Sequence, residues 1–154
     1  MSRTIQSQHR IRIDAPADVA FMFFTPAGEE LWVEGWRPRY VHPADGATVA
    51  GMVFTTGDGA ELTIWHLVDF DRARRRSRYV RTTPGSRTGF VEIACEPLDA
   101  ERCEVTVRYT MTALSAEGEA ALEAFTPAAF ARSIDGWGER IAACLPQLRT
   151  AHIR

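Results

Sequence analysis

A chain of 154 residues, 45% hydrophobic and 25% charged, carries enough apolar surface for one sizeable core, and a single domain over 1–154 is expected. Its net charge of −2 provides no global attraction to nucleic acid or anionic membrane, so neither is expected as a partner. Three cysteines, Cys95, Cys103 and Cys144, without metal-type spacing, argue against a disulfide framework and point to a reducing cytoplasm.

Residues 9–14 alternate, with Ile11 and Ile13 on one face and Arg10, Arg12 and Asp14 on the other, which reads as a half-buried first strand. Asp14-Ala-Pro then opens a helix capped by Asp14 or its neighbour, with Val19, Ala20, Phe23 and Phe24 as its apolar stripe. Thr25-Pro26 repeats the cap-then-proline signal for a second short helix through Leu31, with Glu29 and Glu30 close to its positive end. The apolar run 19–24 is far too short to span a bilayer, so no stable membrane insertion is expected.

A short strand over 39–42 follows two tryptophans, and a loop rich in Pro, Asp and Gly runs over 43–50. Strands are expected at 51–56, 61–70, 77–82, 88–96 and 103–112, separated by turn-forming clusters such as Gly57-Asp-Gly and Thr83-Pro-Gly-Ser. The clearest is the last, where Val105, Val107, Tyr109 and Met111 alternate with Thr106, Arg108, Thr110 and Thr112. A helical segment over 116–125 leads into an amphipathic helix over 126–149. Phe130, Ile134, Trp137, Ile141, Leu145 and Leu148 make its buried face, and Pro146 loosens or kinks its final turn. Gly136 and Gly138 flank Trp137, as if a strand or a ligand approached the backbone there.

Successive strands with hairpin connections make an antiparallel sheet, and one long helix covers its inner face, giving an α+β class. In this order and spacing the chain resembles the superfamily of START domains, polyketide cyclases and birch-pollen-allergen-like proteins. The residues that carry the likeness are Ile11-Arg-Ile-Asp-Ala-Pro, Thr25-Pro-Ala-Gly-Glu-Glu before Trp32 and Trp36, the stretches 65–71 and 110–115, and the Trp137 helix. The resemblance implies a helix-grip fold, a seven-stranded antiparallel sheet wrapped around the C-terminal helix with two short helices after the first strand. It also implies a cavity for lipids, polyketides or other apolar molecules, in a superfamily with both enzymes and plain binders and no catalytic motif common to all.

Ligand contacts are expected from Trp32, Trp36, Phe54, Trp65, Tyr109, Met111, Phe130, Ile134 and Trp137, because large rings with a polar tip suit a pocket. His66, Tyr79 and Arg81 are the candidates for chemistry. His66 is the mid-strand group able to exchange a proton near neutral pH, but Trp65 and Leu67 compete with Ile64, His66 and Val68 for the inward face. Tyr79 and Arg81 share one face of their strand and can bind a carboxylate or polarise a carbonyl if that face is inward. The arginine-rich turn after Asp71 reads as solvated, and His9, His42, His66 and His152 have no metal-ligand spacing.

Three functions follow from these residues and the resemblance. The first is binding of a small apolar or amphiphilic molecule without cofactor or metal. The second is a cyclase, dehydratase or aromatase-like activity in which His66, Tyr79, Arg81 and Tyr109 orient or protonate a carbonyl. The third is a protein-interaction module that uses the edge near 72–78. An exposed edge strand could also pair across a two-fold axis to form a homodimer.

Overall fold

A computed structural model describes residues 3–154. β1 (Thr4–Ile13) is followed by α1 (Ala17–Phe21), a 3-10 turn (Met22–Phe24) and α2 (Pro26–Glu29). Six strands come next, β2 (Arg39–His42), β3 (Val53–Thr56), β4 (Thr63–Asp71), β5 (Arg76–Thr83), β6 (Arg87–Asp99) and β7 (Arg102–Ala113). The chain closes with α3 (Ala116–Leu122), α4 (Pro127–Ala143) and α5 (Leu145–Thr150). The strands form one antiparallel sheet in the order β1-β7-β6-β5-β4-β3-β2, so the first strand closes against the last and β2 forms the other edge.

β1 starts five residues earlier than its alternation predicts. Its inward positions include the polar Ser7 and His9, which hide the period, while pairing from Thr4↔Thr112 to Ile13↔Cys103 fixes the register. His9 Nε2 lies 2.7 Å from Asp135 Oδ1 and ties this strand to α4. In β7 the alternation is fully expressed, with Val105, Val107, Tyr109 and Met111 buried.

The capping expectations divide. The Thr25 hydroxyl accepts from the Gly28 amide at 3.0 Å and donates to the Met22 carbonyl at 2.8 Å, so α2 starts as its sequence predicts. Asp14 does not cap α1, whose N-cap is Pro16 with no side-chain hydrogen bond. Gly28 leaves no room for a side chain, because a Cβ there would overlap the Met22 carbonyl oxygen and Phe23. That contact presses α2 onto the preceding 3-10 turn and sets the position of Glu29.

The expected helix over 126–149 is two helices. α4 stops at Cys144, which leaves helical geometry at φ −115° and ψ 19°, and α5 restarts at Leu145 with Pro146 in its first turn. A proline ring at 146 would collide with the Ala142 carbonyl in a continuous helix, whereas in a first turn its missing N–H costs nothing. The predicted face still points inward, with Phe130, Ile134, Ile141 and Leu148 buried and Trp137 and Leu145 half-buried. Neither glycine beside Trp137 marks a close approach. A Cβ on Gly138 would reach Ile11 at 3.7 Å, an ordinary contact, and one on Gly136 would meet only the end of Arg140 at 3.9 Å.

β4 and β5 settle the inward-face question. Thr63, Trp65 and Leu67 are buried, and Ile64, His66 and Val68 are exposed on the outer face. A bulge between Leu67 and Asp69 then turns Phe70 inward, where it stacks on Phe21 at 5.4 Å. On β5, Tyr79 and Arg81 face inward and Val80 outward. Two arginines at the β4–β5 turn have close carboxylate partners, Arg75 with Asp18 and Arg76 with Glu96, each at 3.0 Å.

Candidate functional site

Between the inner face of the sheet, α2 and α4 lies a cavity of about 230 Å³. One wall is a block of rings. Phe54 and Trp65 stack with centroids 5.6 Å apart and planes 5° from parallel, and Trp36 meets both edge-on at 6.0 and 5.7 Å. On the opposite side Trp137 approaches Tyr109 at 6.5 Å and Phe24 at 6.4 Å. Aromatic rings suit such walls because their polar tips can be satisfied by the frame while their faces stay free. Trp65 Nε1 donates to Thr56 Oγ1 at 2.9 Å, Trp36 Nε1 to the Pro26 carbonyl at 3.0 Å, and Tyr79 Oη to the Phe24 carbonyl at 3.3 Å.

Two charged side chains enter this largely apolar space. Arg81 comes from β5, and its guanidinium carbon lies 4.8 Å from the centre of the Trp65 ring and 6.0 Å from that of Tyr109. Its Nε is enclosed and has no hydrogen-bond partner among the described residues, and no carboxylate there forms an ion pair with it. Burial lowers its affinity for the proton and the nearby Tyr109 hydroxyl offsets part of that effect; a guanidinium stays charged under such conditions. A buried, unpaired cation is costly, and a partner that arrives with a ligand would remove the cost.

Glu29 enters from the last turn of α2. It is half-buried and lines the cavity, and desolvation raises its carboxyl well above the ordinary range. Tyr79 and Tyr109 are raised as well, chiefly by burial, so both remain phenols able to donate. The site therefore offers a fixed cation, a carboxyl that holds its proton unusually well and two phenols, all against aromatic walls.

A second hollow of about 260 Å³ lies between β7 and the α3–α4 junction, lined by Phe125, Ala129, Phe130, Ser133 and Ile134. Arg81, Tyr109 and Trp137 line both spaces and form the partition between them.

Of the residues expected from the sequence, Trp36, Phe54, Trp65, Tyr79, Arg81, Tyr109 and Trp137 come together around the first cavity, and Phe130 and Ile134 line the second. Trp32 and Met111 lie in the core, with the Trp32 indole donating to the Phe23 carbonyl at 2.8 Å. His66 is removed from the site, because the pleat that buries Trp65 and Leu67 turns it to the opposite face of the sheet. Glu29 was not anticipated. A four-residue helix has no readable periodicity, and the only signal is a carboxylate three residues after Pro26. Among the described residues, no group of three or more His, Cys, Asp or Glu side chains could hold a metal ion, and no helix is long and apolar enough to cross a membrane.

The chain belongs to the family described as polyketide cyclase / dehydrase and lipid transport, which matches residues 4–143. Among curated proteins none matches the sequence. Solved structures share the fold. Norcoclaurine synthase from Thalictrum flavum, in complex with dopamine and hydroxybenzaldehyde, has a TM-score of 0.64 and 12% identity over 92% of this chain and 88% of that one. The Zhui aromatase/cyclase from Streptomyces sp. R1128 has a TM-score of 0.55 and 19% identity over 97% and 92%. Ara h 8.0201 has a TM-score of 0.58 and 14% identity over 90% and 98%. At such identities the likeness is one of fold.

Proposed function

We propose that this protein binds a small amphiphilic molecule, with its apolar body against Trp36, Phe54, Trp65 and Trp137 and an acidic oxygen on Arg81. The observation that carries the reading is the unpaired Nε of Arg81 beside an aromatic cavity. Apolar burial provides the attraction, and the charge-assisted bond provides selection for an anion. The family description, which includes lipid transport, supports an apolar ligand.

Fluorescence titration with 2-naphthoate and with its methyl ester tests it. A hydrogen bond to a charged group contributes about 1.5–3 kcal/mol, so the acid should bind at least about tenfold tighter than the ester. Arg81→Met should erase the difference. Equal affinity for acid and ester in the wild type would defeat the reading.

A second reading, cyclase or dehydratase activity, is favoured by the presence of Glu29, Tyr79 and Tyr109 in the same cavity as Arg81. A carboxyl whose pKa is raised by desolvation can hold a proton and give it up while the guanidinium stabilises an enolate oxygen. Deuterium exchange at the central carbon of a bound 1,3-diketone, followed by NMR, tests this. Exchange at the uncatalysed rate, unchanged in Glu29→Gln, would exclude it.

A further inference from the structure

Glu29 and Arg81 line one cavity without pairing. No ion pair within 4.0 Å joins them, although a carboxylate and a guanidinium within reach in one cavity would pair. Tyr79 reaches the α1–α2 side, where its hydroxyl donates to the Phe24 carbonyl, and Arg81 stands two residues further along β5, about 7 Å by strand geometry. The groups that feel a charge on Glu29 are Tyr40 of β2, Tyr79 of β5 and Tyr109 of β7, all neutral acids. Of these, Tyr79 is bonded to backbone and Tyr40 donates to Glu30 at 3.1 Å, so neither satisfies the Glu29 carboxyl.

Resting on the amphiphile reading above, we infer that Glu29 is a second ligand anchor, independent of Arg81. The ligand class is then an oxygenated aromatic or alicyclic acid. Its acidic group sits on the guanidinium, and a hydroxyl or carbonyl elsewhere on the ring system meets the Glu29 carboxyl. An apolar body carrying two oxygen groups can meet both, because Glu29 and Arg81 line the same cavity as Trp65 and Tyr79, whose rings are 6.2 Å apart and nearly perpendicular. Simple fatty acids satisfy only the Arg81 end. They leave the Glu29 carboxyl without a ligand partner, so the site favours the doubly oxygenated acid over them.

The test is calorimetric titration of wild type, Glu29→Leu and Glu29→Gln with 2-naphthoate and 6-hydroxy-2-naphthoate. For wild type the hydroxylated probe should bind about tenfold tighter. Glu29→Leu should erase that gain, so that both probes bind with equal affinity, and Glu29→Gln should retain part of it because an amide can still donate and accept. Melting curves confirm that the variants are folded. A hydroxyl gain that survives in Glu29→Leu overturns the anchor alone, as does an equal loss of both probes. Failure of both probes to bind wild type overturns the acid-on-Arg81 reading and the anchor with it.

Discussion

The guanidinium of Arg81 lies over the indole of Trp65, 4.8 Å from carbon to ring centre, and its Nε has no acceptor among the described residues. The ring face provides part of the missing solvation, and Thr56 holds the indole in place through its N–H. The arrangement keeps a cation without an ion-pair partner against aromatic walls at some cost to the fold, as a preformed site requires.

Arg81→Met should therefore stabilise the unliganded protein by about 1–3 kcal/mol, since an apolar side chain of similar length replaces an uncompensated charge. It should also abolish preferential binding of carboxylates. Urea unfolding and the naphthoate titration measure the two effects on one preparation. A variant that is less stable than wild type would mean that Arg81 has a structural partner.

Glu29 sets a pH dependence. Burial raises its carboxyl above the unfolded value of about 4.3, so the folded state holds the proton more tightly. This contribution to stability is fully present below the unfolded value and is lost as pH rises through the folded one. Glu29→Gln does not titrate, so its melting temperature relative to wild type should be higher at pH 8 than at pH 5. A difference that is constant with pH would place Glu29 in water.

Gly28→Ala should destabilise the protein by about 2–3 kcal/mol, because the new methyl group overlaps backbone atoms of the 3-10 turn, which cannot yield as a flexible side chain would. It should also weaken binding of the hydroxylated naphthoate, since Glu29 is the next residue. Wild-type stability would show that α2 can shift freely.

His66→Ala should change stability by no more than about 0.5 kcal/mol and leave ligand affinity unaltered, because His66 is exposed on the outer face of β4. Loss of binding in this variant would contradict the register of the strand.

Much of the frame is legible in the residues. Val105 to Met111 alternate without interruption, Thr25-Pro26 announces its cap, and the Phe130 to Leu148 stripe keeps the period of a buried helix face across a break in the helix. The site is legible only in part. On β4 an apolar residue occurs on both faces, Ile64 and Val68 against Trp65 and Leu67, so the pattern leaves the direction of His66 open until pairing with β3 and β5 fixes it. Polar Ser7 and His9 mask the first half of β1. Glu29 escapes notice because its helix is shorter than two turns, and its burial arises from packing between distant elements.

The most direct measurement is NMR of protein labelled with 15N-arginine, in which the enclosed Arg81 Nε–H should give a slowly exchanging resonance at neutral pH, identified by its absence in Arg81→Met. Addition of 2-naphthoate should move that resonance in proportion to occupancy, with the methyl ester leaving it in place. A resonance unmoved by saturating naphthoate would contradict the central claim that Arg81 receives the acidic group of the ligand.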